Sequence, residues 1–583
     1  MAGEKPWPQV PVRNESSSNA AVVIIGAGLS GICTAIDLIR RNNCQNFIIL
    51  EKSTSVGGTW YDNKYPGCCC DVWSMLYSYS FEQKSDWTRL YPGQEEILEY
   101  VVNVAEKYGL FRHMRFNSAV EGARWDDDER KWKVKVSVAK GSKEAEGCEA
   151  YTISSDFLVS AVGQLNQPKW PDIVGLDEFG GKVMHSARWD WTYDLKGKNI
   201  GLIGNGCTAV QILPELTKVA NHVTLFQRTP NWVTPRLDTI VSPLWRSVFK
   251  YLPPVRWRIR GSMMDYRETV YDAVMDSESD LAQLFRSQCK EMLQETFPNN
   301  EQVREKLTPT YSPGCKRLII SDDYYPALAK ENVKLETRPI DKVTKDQVLV
   351  KREEDGVAVE SYTQPYDLIV CATGFKTTEF MHPIAIYGRE GKSLKDVWSK
   401  GARAYMGTCI EELPNFGMLY GPNTNLGHNS IILMIEAQSR YINGLIKTVL
   451  DVRKQGKSLA VSPKLDKVEE YNREVQKVLL SSSFNDPNCD SWYKNENGMI
   501  TNNWKGTVVE YQKLLSTVNL DEYNLEGDGK NITDKIVHVG RVREETYLGD
   551  TMLMVLSAVS VAAVAGGWLL RNSKLLRGPR VNR

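Results

Sequence analysis

Two groups of glycines have the spacing that brings a polypeptide loop against the phosphates of a dinucleotide. Gly26, Gly28 and Gly31 form the pattern G-x-G-x-x-G. Gly204 and Gly206 begin a second copy, G-x-G-x-x-A. In such motifs the first glycine permits a tight turn, the second lets backbone amides approach a pyrophosphate, and the third lets a helix pack on a strand. Each group therefore predicts a phosphate-binding loop.

A charged residue follows each glycine motif at nearly the same distance, and the two charges are opposite. Glu51 comes 25 residues after Gly26, where a carboxylate accepts hydrogen bonds from ribose hydroxyls. Arg228, followed by Thr229, comes 24 residues after Gly204 and suits a 2′-phosphate, which a carboxylate would repel. The first motif therefore predicts an FAD site and the second an NADPH site. The alternative, two solvated strand ends, does not explain opposite charges at matching positions.

The elements that must position these loops are strands buried on both faces of a parallel sheet. Their signature is an apolar run without polar alternation. Predicted strands of this kind cover residues 21–25, 47–50, 199–203 and 223–226. Two further runs, 157–160 and 366–370, lead to Gly163 and Gly374 and are typical of strands that connect two such domains. We therefore expect an α/β fold with two Rossmann-like domains, the second inserted into a discontinuous first.

The chain divides into six predicted segments. They are a disordered leader (1–20), the first part of the FAD domain (21–165), the NADPH domain (166–330), the second part of the FAD domain (331–545), a transmembrane helix (550–571) and a basic tail (572–583). Within the NADPH domain, residues 238–306 carry tryptophan, methionine and charge at helical spacing and predict a helical insertion. The insertion is either a cap on the NADPH domain or a roof over the substrate, and both interpretations remain open.

The composition disfavours several classes of function. Lysine plus arginine and aspartate plus glutamate both number 72, so no net charge draws the chain to nucleic acid. The 12 cysteines contain no C-x-x-C pair and the histidines are scattered, which disfavours a metal site or a disulfide framework. Cys68, Cys69 and Cys70 are consecutive, and packing explains them better than a redox dithiol. We expect neither a metal nor a nucleic-acid partner.

The C-terminal run 552–570 is uncharged and mostly apolar. As a helix its 19 residues rise about 28 Å, close to the roughly 30 Å of a bilayer's hydrocarbon core. A buried helix is the alternative, but the run lacks an amphipathic polar stripe. Five basic residues follow it: Arg571, Lys574, Arg577, Arg580 and Arg583. We expect a single-pass membrane anchor, with the body of the chain in the cytosol because no export signal precedes it.

Residues between the two glycine motifs resemble a known family fingerprint. Phe179, Gly181, His185, Trp189 and Asp190 form F-x-G-x-x-x-H-x-x-x-W-D, which is similar to the fingerprint of type I Baeyer–Villiger monooxygenases, a group of class B flavoprotein monooxygenases. A second motif of that family, G-x-W-x-x-x-x-Y-P-G-x-x-x-D, matches at Gly58, Trp60, Tyr65, Pro66, Gly67 and Asp71. With the glycine motifs, the likeness covers roughly residues 21–515. It does not include the C-terminal run.

The resemblance implies an enzyme that uses FAD, NADPH and O2 to insert one oxygen atom beside a ketone carbonyl, giving an ester or lactone through a flavin C4a-peroxide. Segment 311–332 resembles the family's stretch with an active-site Lys-Arg pair, here Lys316 and Arg317. Arg317 is predicted to stabilise negative charge on oxygen, because a guanidinium stays protonated near neutrality. Asp71 is expected to position Arg317, and Lys316 to reach the NADPH 2′-phosphate from the side opposite Arg228.

The remaining predicted residues surround the cofactors. By the resemblance, His185 couples cofactor movement to chemistry and is not a general base. The turn-rich loop 421–429 precedes an apolar helix and is predicted to place Asn423 near the flavin. Further cofactor contacts are assigned to Gly58, Thr59, Trp60, Thr208, Gln211 and Gly374.

Three alternatives share part of this evidence. An N- or S-oxygenating flavin monooxygenase uses the same cofactors, but its fingerprint usually ends in an aromatic and a basic residue instead of Trp189 and Asp190. A disulfide reductase needs a paired dithiol near the flavin, and the sequence has no C-x-x-C. A catalytically silent membrane scaffold is disfavoured by the intact glycine motifs. The sequence does not specify the substrate, although the predicted anchor favours a lipophilic ketone, such as a secondary metabolite.

Overall fold

The computed structural model describes residues 18–139, 150–354 and 357–543, and two sheets carry its architecture. The strands of the first sheet are β1 Asn19–Ile25, β2 Phe47–Leu50, β3 Met114–Arg115, β4 Ser118–Asp126, β5 Lys131–Val138 and β6 Ala150–Ser160, joined later in the chain by β17 Ala385–Tyr387 and β18 Phe416–Met418. The strands of the second sheet are β7 Lys182–His185, β8 Asn199–Ile203, β9 His222–Phe226, β12 Val333–Glu336 and β16 Leu368–Cys371.

Smaller sheets and helices surround these two. The smaller sheets comprise β10 Val233–Thr234 with β11 Ile319–Ile320, then β13 Ile340–Val343 with β14 Val348–Glu354 and β15 Val357–Tyr362, then β19 Ala460–Pro463 with β21 Tyr523–Glu526, and β20 Thr517–Asn519 with β22 Ile536–His538. The helices are α1 Leu29–Asn42, α2 Thr59–Asp62, α3 Gln94–Lys107, α4 Cys207–Leu216, α5 Pro243–Tyr251, α6 Pro253–Met275, α7 Asp280–Thr296, α8 Glu301–Leu307, α9 Tyr324–Leu328, α10 Leu394–Val397, α11 Ile431–Lys454, α12 Leu465–Leu480 and α13 Val508–Leu514.

The first sheet explains why its central strands are apolar throughout. Its order is β17-β4-β5-β6-β1-β2-β3, with β18 beside β6, and β1 is parallel to both β2 and β6. Val22 and Ile24 pack in one apolar cluster with residues of α1 and α11, whereas Val23 and Ile25 pack in another with residues of β4 and β5. Both faces of β1 are therefore buried, and the strand predicted at residues 21–25 is confirmed.

The second sheet has the order β12-β9-β8-β16-β7, and all its pairings are parallel. Its strands β12 and β16 follow residue 330, where the sequence placed the end of the second domain. That boundary is wrong, because the chain returns to the first sheet only with β17. The predicted leader of residues 1–20 is also too long, since β1 begins at Asn19. The α/β class with two dinucleotide-type sheets agrees with the prediction.

Two chain segments cross from one sheet to the other, one after β6 and one after β16, and hydrogen bonds join them. The Lys169 amide donates to the Gly374 carbonyl at 2.9 Å, and the Lys376 amide donates to the Gln167 carbonyl at 2.9 Å. The Thr373 hydroxyl adds a 2.6 Å bond to the Lys169 carbonyl. The segments that leave β6 and β16 thus run side by side, as expected for a domain inserted into another.

The helical insertion lies between β10 and β11 in the chain and comprises α5 to α8. Its helix α6 contacts the first domain. The Arg260 guanidinium donates to the Ser78 carbonyl at 3.0 Å, and that of Arg267 donates to the Asp71 carbonyl at 2.6 Å. A cap on the second domain alone would make no such contacts, so the insertion is also bound to the first domain.

In the part of the chain that the structure describes, no helix combines the length and the apolar character needed to cross a bilayer. The predicted anchor at 550–571 and the basic tail at 572–583 lie outside the described residues, as does the leader up to residue 17.

Close backbone approaches explain the glycines of the first motif. Gly26 has φ +106°, and a Cβ there would lie 2.6 Å from the Ala161 carbonyl oxygen. A Cβ on Gly31 would lie 1.9 Å from the Gly26 carbonyl oxygen, because α1 packs directly on the turn. In the second motif a Cβ on Gly206 would meet nothing within 4 Å, so this glycine borders open space.

We expect Gly31→Ala to lower the free energy of unfolding by about 1–3 kcal/mol, because its methyl group collides with main chain. The matched substitution Gly206→Ala meets no atom and should change stability by about 0.5 kcal/mol or less. Urea unfolding followed by circular dichroism measures both. Equal stability of the two variants would contradict the packing described for α1.

Candidate active site

The first glycine loop and Glu51 form one pocket. Gly28 precedes the N-terminus of α1, and a Cβ on Gly58 would lie 3.0 Å from its Cα, so the two loops approach closely. The Glu51 carboxylate accepts hydrogen bonds from the amides of Ala27 and Ser53, both at 2.8 Å. Burial raises the pKa of Glu51, and these amide bonds only partly oppose it. Glu51 therefore stabilises the loop and keeps acceptor capacity for a hydroxyl donor.

The second pocket lies at the N-terminus of α4. The free space around Gly206 leaves the first amides of this helix accessible to a pyrophosphate. Arg228 follows β9 with 84% of its side chain exposed, and it pairs with Asp490 at 2.9 Å. The Asn205 side chain donates to the Thr229 carbonyl at 2.7 Å, which fixes the turn. Open amides at one end and a guanidinium at the other fit a 2′-phosphorylated dinucleotide.

Lys316 lies near the same end of this pocket. Burial lowers the pKa of Lys316, the Asp490 carboxylate opposes that shift, and the positive charge of Arg228 adds to it. Two cations that interact electrostatically and share one carboxylate suit a dianionic phosphate.

Between the pockets, Asp71 and Arg317 form a bidentate ion pair. Arg317 Nε donates to Asp71 Oδ2 at 2.7 Å, and Arg317 Nη2 donates to Asp71 Oδ1 at 2.8 Å. Arg317 Nη1 donates to the Leu426 carbonyl at 2.9 Å. The side chains of Arg317 and Asp71 are 23% and 29% exposed, so the pair is half-buried with one side open to the cleft.

Electrostatics keep both partners charged. Burial alone would raise the pKa of Asp71, but the charge and hydrogen bonds of Arg317, together with the charge of Arg267, lower it below its ordinary value. Burial alone would lower the pKa of Arg317, but Asp71 raises it above its ordinary value. Near neutrality the cleft therefore contains a fixed carboxylate and a permanently protonated guanidinium.

The loop that ends at Asp71 is fastened to α4 of the other domain. The Tyr65 hydroxyl donates to Gln211 Oε1 at 2.9 Å, and Gln211 Nε2 donates to the Cys69 carbonyl at 3.1 Å. A Cβ on Gly67, which has φ +77°, would lie 2.4 Å from the Gln211 carbonyl oxygen. Thr208 also bonds Tyr65. Thr208 and Gln211, predicted as cofactor contacts, thus hold the two domains together.

With this geometry established, comparison with known proteins identifies the family. A family model described as "FMO-like: Flavin-binding monooxygenase-like" matches residues 19–250. The chain is 50% identical over 558 residues to the FAD-binding monooxygenase ktnD of Aspergillus niger, covering 95% of this chain and 90% of that protein. The chain belongs to the flavin-binding monooxygenase family.

Further relatives narrow the class. This flavin monooxygenase is 38% identical to a Baeyer–Villiger monooxygenase of Streptomyces coelicolor, over 86% of this chain and 92% of the other. It superposes on OTEMO in complex with FAD and NADP with TM-score 0.73 and 25% identity, covering 87% and 99% of the two chains. The NADP+-bound cyclohexanone monooxygenase of Rhodococcus sp. Phi1 gives TM-score 0.72 and 26% identity, covering 88% and 100%. The predicted enzyme class, a flavin monooxygenase of Baeyer–Villiger type, is confirmed.

The fingerprint of this flavin monooxygenase lies along β7 and the turn after it. Phe179 is buried, and a Cβ on Gly181 would lie 2.6 Å from the Asp367 carbonyl oxygen, so β7 approaches β16 closely. Trp189 packs against the core of the second domain. The Asp190 carboxylate accepts hydrogen bonds from the amide and the hydroxyl of Thr192, and it forms an ion pair with Lys182 at 3.0 Å. The fingerprint residues therefore pack and form hydrogen bonds where the two domains join.

His185 lies at this junction between aromatic rings. Trp170 is 5.3 Å and Phe375 is 6.2 Å from it, measured between ring centroids, and its Nδ1 accepts from the Ala187 amide at 3.1 Å. Burial lowers the pKa of His185 to about 4, so the ring is neutral at pH 7. Contact with both crossing segments supports a structural or coupling role over general base catalysis.

Asn423 makes contacts that the sequence did not predict. Its side chain is buried, and its amide donates to the main-chain carbonyls of Ile500 at 2.8 Å and Asn503 at 3.1 Å. These bonds use both of its N–H groups. Asn423 therefore joins loop 421–429 to segment 500–503, and it offers no side-chain donor to a flavin.

The cysteines give one correction. Cys68, Cys69 and Cys70 are free thiols. Burial raises the pKa of Cys68 to about 12 and that of Cys69 to about 11, as expected for packing residues and not for a redox dithiol. A disulfide does link Cys315 to Cys489, whereas the sequence disfavoured a disulfide framework because it has no C-x-x-C pair; the two cysteines are 174 residues apart. The disulfide joins the segment of Lys316 and Arg317 to the segment of Asp490, which is the ion-pair partner of Arg228.

Arg267 is a residue of the site that the sequence did not single out. It comes from α6, donates to the Asp71 carbonyl at 2.6 Å, and lies 5.3 Å from the centroid of the Trp73 ring. The available signal was the seven-residue spacing of Arg260 and Arg267 around Met264 on a helix, which places two arginines on an apolar face.

We expect the stabilising effect of the ion pair to depend on pH. The folded pKa of Asp71 is depressed, so its contribution is present above the unfolded pKa of about 4 and is lost as pH falls through the folded pKa. The urea concentration at the midpoint of unfolding should therefore be higher for wild type than for Asp71→Asn at pH 7 and pH 5. The difference between the two midpoints should become smaller toward pH 3. A gap of constant size over this range would contradict the assigned ionisation.

Proposed function

We propose that this protein is a Baeyer–Villiger monooxygenase that inserts one O2-derived oxygen atom next to the carbonyl of a lipophilic ketone, giving an ester or lactone. The observation that carries the proposal is the bidentate pair of Asp71 and Arg317 in a cleft between two dinucleotide pockets. The chemistry requires a cation beside an oxygen that holds negative charge during the reaction, and Arg317 is a cation held in that cleft.

FAD and NADPH are the cofactors, as the sequence predicted, and bound FAD supplies the activation of O2. For FAD we assign the glycines of the first loop, with Glu51 toward the ribose hydroxyls and with Gly58, Thr59 and Trp60 on the neighbouring loop. For NADPH we assign Gly204 and Gly206 to the pyrophosphate. Arg228, Thr229 and Lys316 are assigned to the 2′-phosphate, on the support of their charge and of the shared Asp490.

Arg317 keeps donors for the reacting oxygen. A guanidinium has five N–H groups. Two are used by Asp71 and one by the Leu426 carbonyl, which leaves one on each terminal nitrogen. The two bonds to Asp71 fix the plane of the guanidinium, so these remaining donors need little rearrangement to meet an anion. The raised pKa of Arg317 means that it does not lose a proton to that anion.

The membrane anchor remains a proposal that rests on the sequence of residues 552–570. A chain held at a bilayer meets ketones that partition into lipid at a higher local concentration than in water. Such an anchor is the reason to propose a lipophilic substrate.

We expect Arg317→Ala to reduce flavin with NADPH but to form ester about a hundredfold or more slowly, the usual cost of losing one fixed donor to an oxyanion. Single-turnover flavin absorbance and mass spectrometry of the product separate the two steps. Arg403→Ala is the control, because it removes another half-buried arginine that pairs with a carboxylate, Glu411 at 2.7 Å. Normal ester formation by Arg317→Ala would refute the assignment.

We expect the full chain to sediment with membranes and a chain ending at Gly549 to stay in the supernatant. Turnover of a lipophilic ketone in the presence of membranes should fall in the shorter chain, while turnover of a water-soluble ketone should not change. Initial rates with both ketones and both chains test this. Equal rates for the lipophilic ketone would remove the reason for proposing such a substrate.

A further inference from the structure

Helix α6 is fastened onto residues 71–78 by two arginines on one face. Arg260 donates to the Ser78 carbonyl at 3.0 Å and to the Ser78 hydroxyl at 3.2 Å. Arg267, two turns later, donates to the Asp71 carbonyl at 2.6 Å. Both residues attach the helix to main chain. Their electrostatic surroundings differ, because only Arg267 reaches the residue that holds Arg317.

Arg267 adds a second positive charge beside the Asp71–Arg317 pair. Within the described residues it takes part in no ion pair, its buried Nε has no hydrogen-bond partner, and its guanidinium lies 5.3 Å from the centroid of the Trp73 ring. Asp71 and Arg317 together carry no net charge. Among these three side chains one positive charge is in excess, and that charge belongs to Arg267.

An unpaired guanidinium is costly to bury, and a cation–π contact offsets only part of this cost. A neutral side chain of similar length could pack on Trp73 without the cost. An arginine at this position is explained if its charge acts on its neighbours. The charged groups that act on Arg267 electrostatically are Asp71 and Arg317.

We propose that Arg267 is a positioning residue of the oxygenation site: it fixes the Asp71 carboxylate on Arg317 and supplies the surplus positive charge of the cleft. This inference rests on the proposed function. By holding the Asp71 main chain, Arg267 orients both oxygens of the carboxylate toward Arg317. By its charge, it favours an anionic oxygen in the cleft over a neutral one.

The groups that face Asp71 allow its pKa to report the loss of the Arg267 charge. The cations are Arg267 and Arg317. The other titratable neighbours have a pKa raised by burial and are uncharged near neutrality: Cys69, Cys70, Cys207, Tyr77, Tyr91, Tyr420 and Tyr493. Removing one cation should therefore act on Asp71 without an opposing change from another charged neighbour.

The decisive experiment compares Arg267→Met with Arg267→Lys in the full-length holoenzyme. With Met we expect kcat for ester formation to fall about 10- to 100-fold, and the KM for NADPH to stay within about twofold. In a plot of kcat/KM against pH, the acid limb is the fall in activity at low pH. Its inflection should move up by roughly one pH unit, because the Asp71 carboxylate loses a stabilising cation. Lys restores the charge and should return the acid limb toward wild type.

Arg260→Met is the matched control, because it removes the other arginine that holds α6 to the same segment. It should lower stability without moving the acid limb. If Arg267→Met leaves both kcat and the acid limb at wild-type values, or if Arg260→Met moves the limb equally, the proposal is wrong.

A readout that needs no turnover separates this proposal from the proposed function. In flavin-free protein, the difference in urea midpoint between wild type and Asp71→Asn, measured against pH, reports the ionisation of Asp71. In the Arg267→Met background this difference should be smaller and should disappear at a higher pH. An unchanged difference overturns the inference about Arg267. Failure of wild type to oxygenate any ketone would instead overturn the proposed function.

Discussion

The ion pair between Asp71 and Arg317 spans two domains, and the geometry of the cleft depends on it. Asp71 ends a loop of the first domain, while Arg317 lies just before β11 of the inserted domain. Such a pair persists only when both partners are held, since losing one leaves a half-buried charge without a counterion. The structure holds both. Gln211 fixes the loop before Asp71, Arg267 fixes its main chain, and the Leu426 carbonyl accepts from Arg317.

The two dinucleotide pockets share a backbone design and differ in charge. In each, a glycine of positive φ, Gly26 or Gly204, directly follows a strand. Because it has no side chain, the segment after β6 or β16 can approach it closely. Under the proposed cofactor assignment, selectivity comes from one side chain at the end of the next strand. A buried carboxylate at Glu51 repels phosphate and accepts hydroxyls, whereas an exposed guanidinium at Arg228 attracts phosphate.

Local signals explain what the sequence predicted well. A glycine motif after an apolar run depends on contacts within about 30 residues, and the strands around both motifs lie where they were expected. The contacts that the sequence did not reveal join partners far apart in the chain: Gln211 with Tyr65, Asn423 with Ile500, Cys315 with Cys489, and Arg267 with Asp71. The wrong boundary at residue 330 has the same origin, because an apolar strand such as β12 does not indicate in which of two parallel sheets it pairs.

Lys316 and Arg317 connect the nucleotide pocket to the oxygenation site through a single peptide bond. Lys316 interacts with Asp490 and Arg228 at the phosphate end, whereas Arg317 faces Asp71 in the cleft. The disulfide from Cys315 to Cys489 links the residue before this dipeptide to the residue before Asp490. Ser312 adds two bonds to Asp486 at 2.7 and 2.6 Å. Under the proposed function, a phosphate bound by Lys316 would contact the residue next to Arg317, so nucleotide binding and the placement of the cation would be linked through one dipeptide.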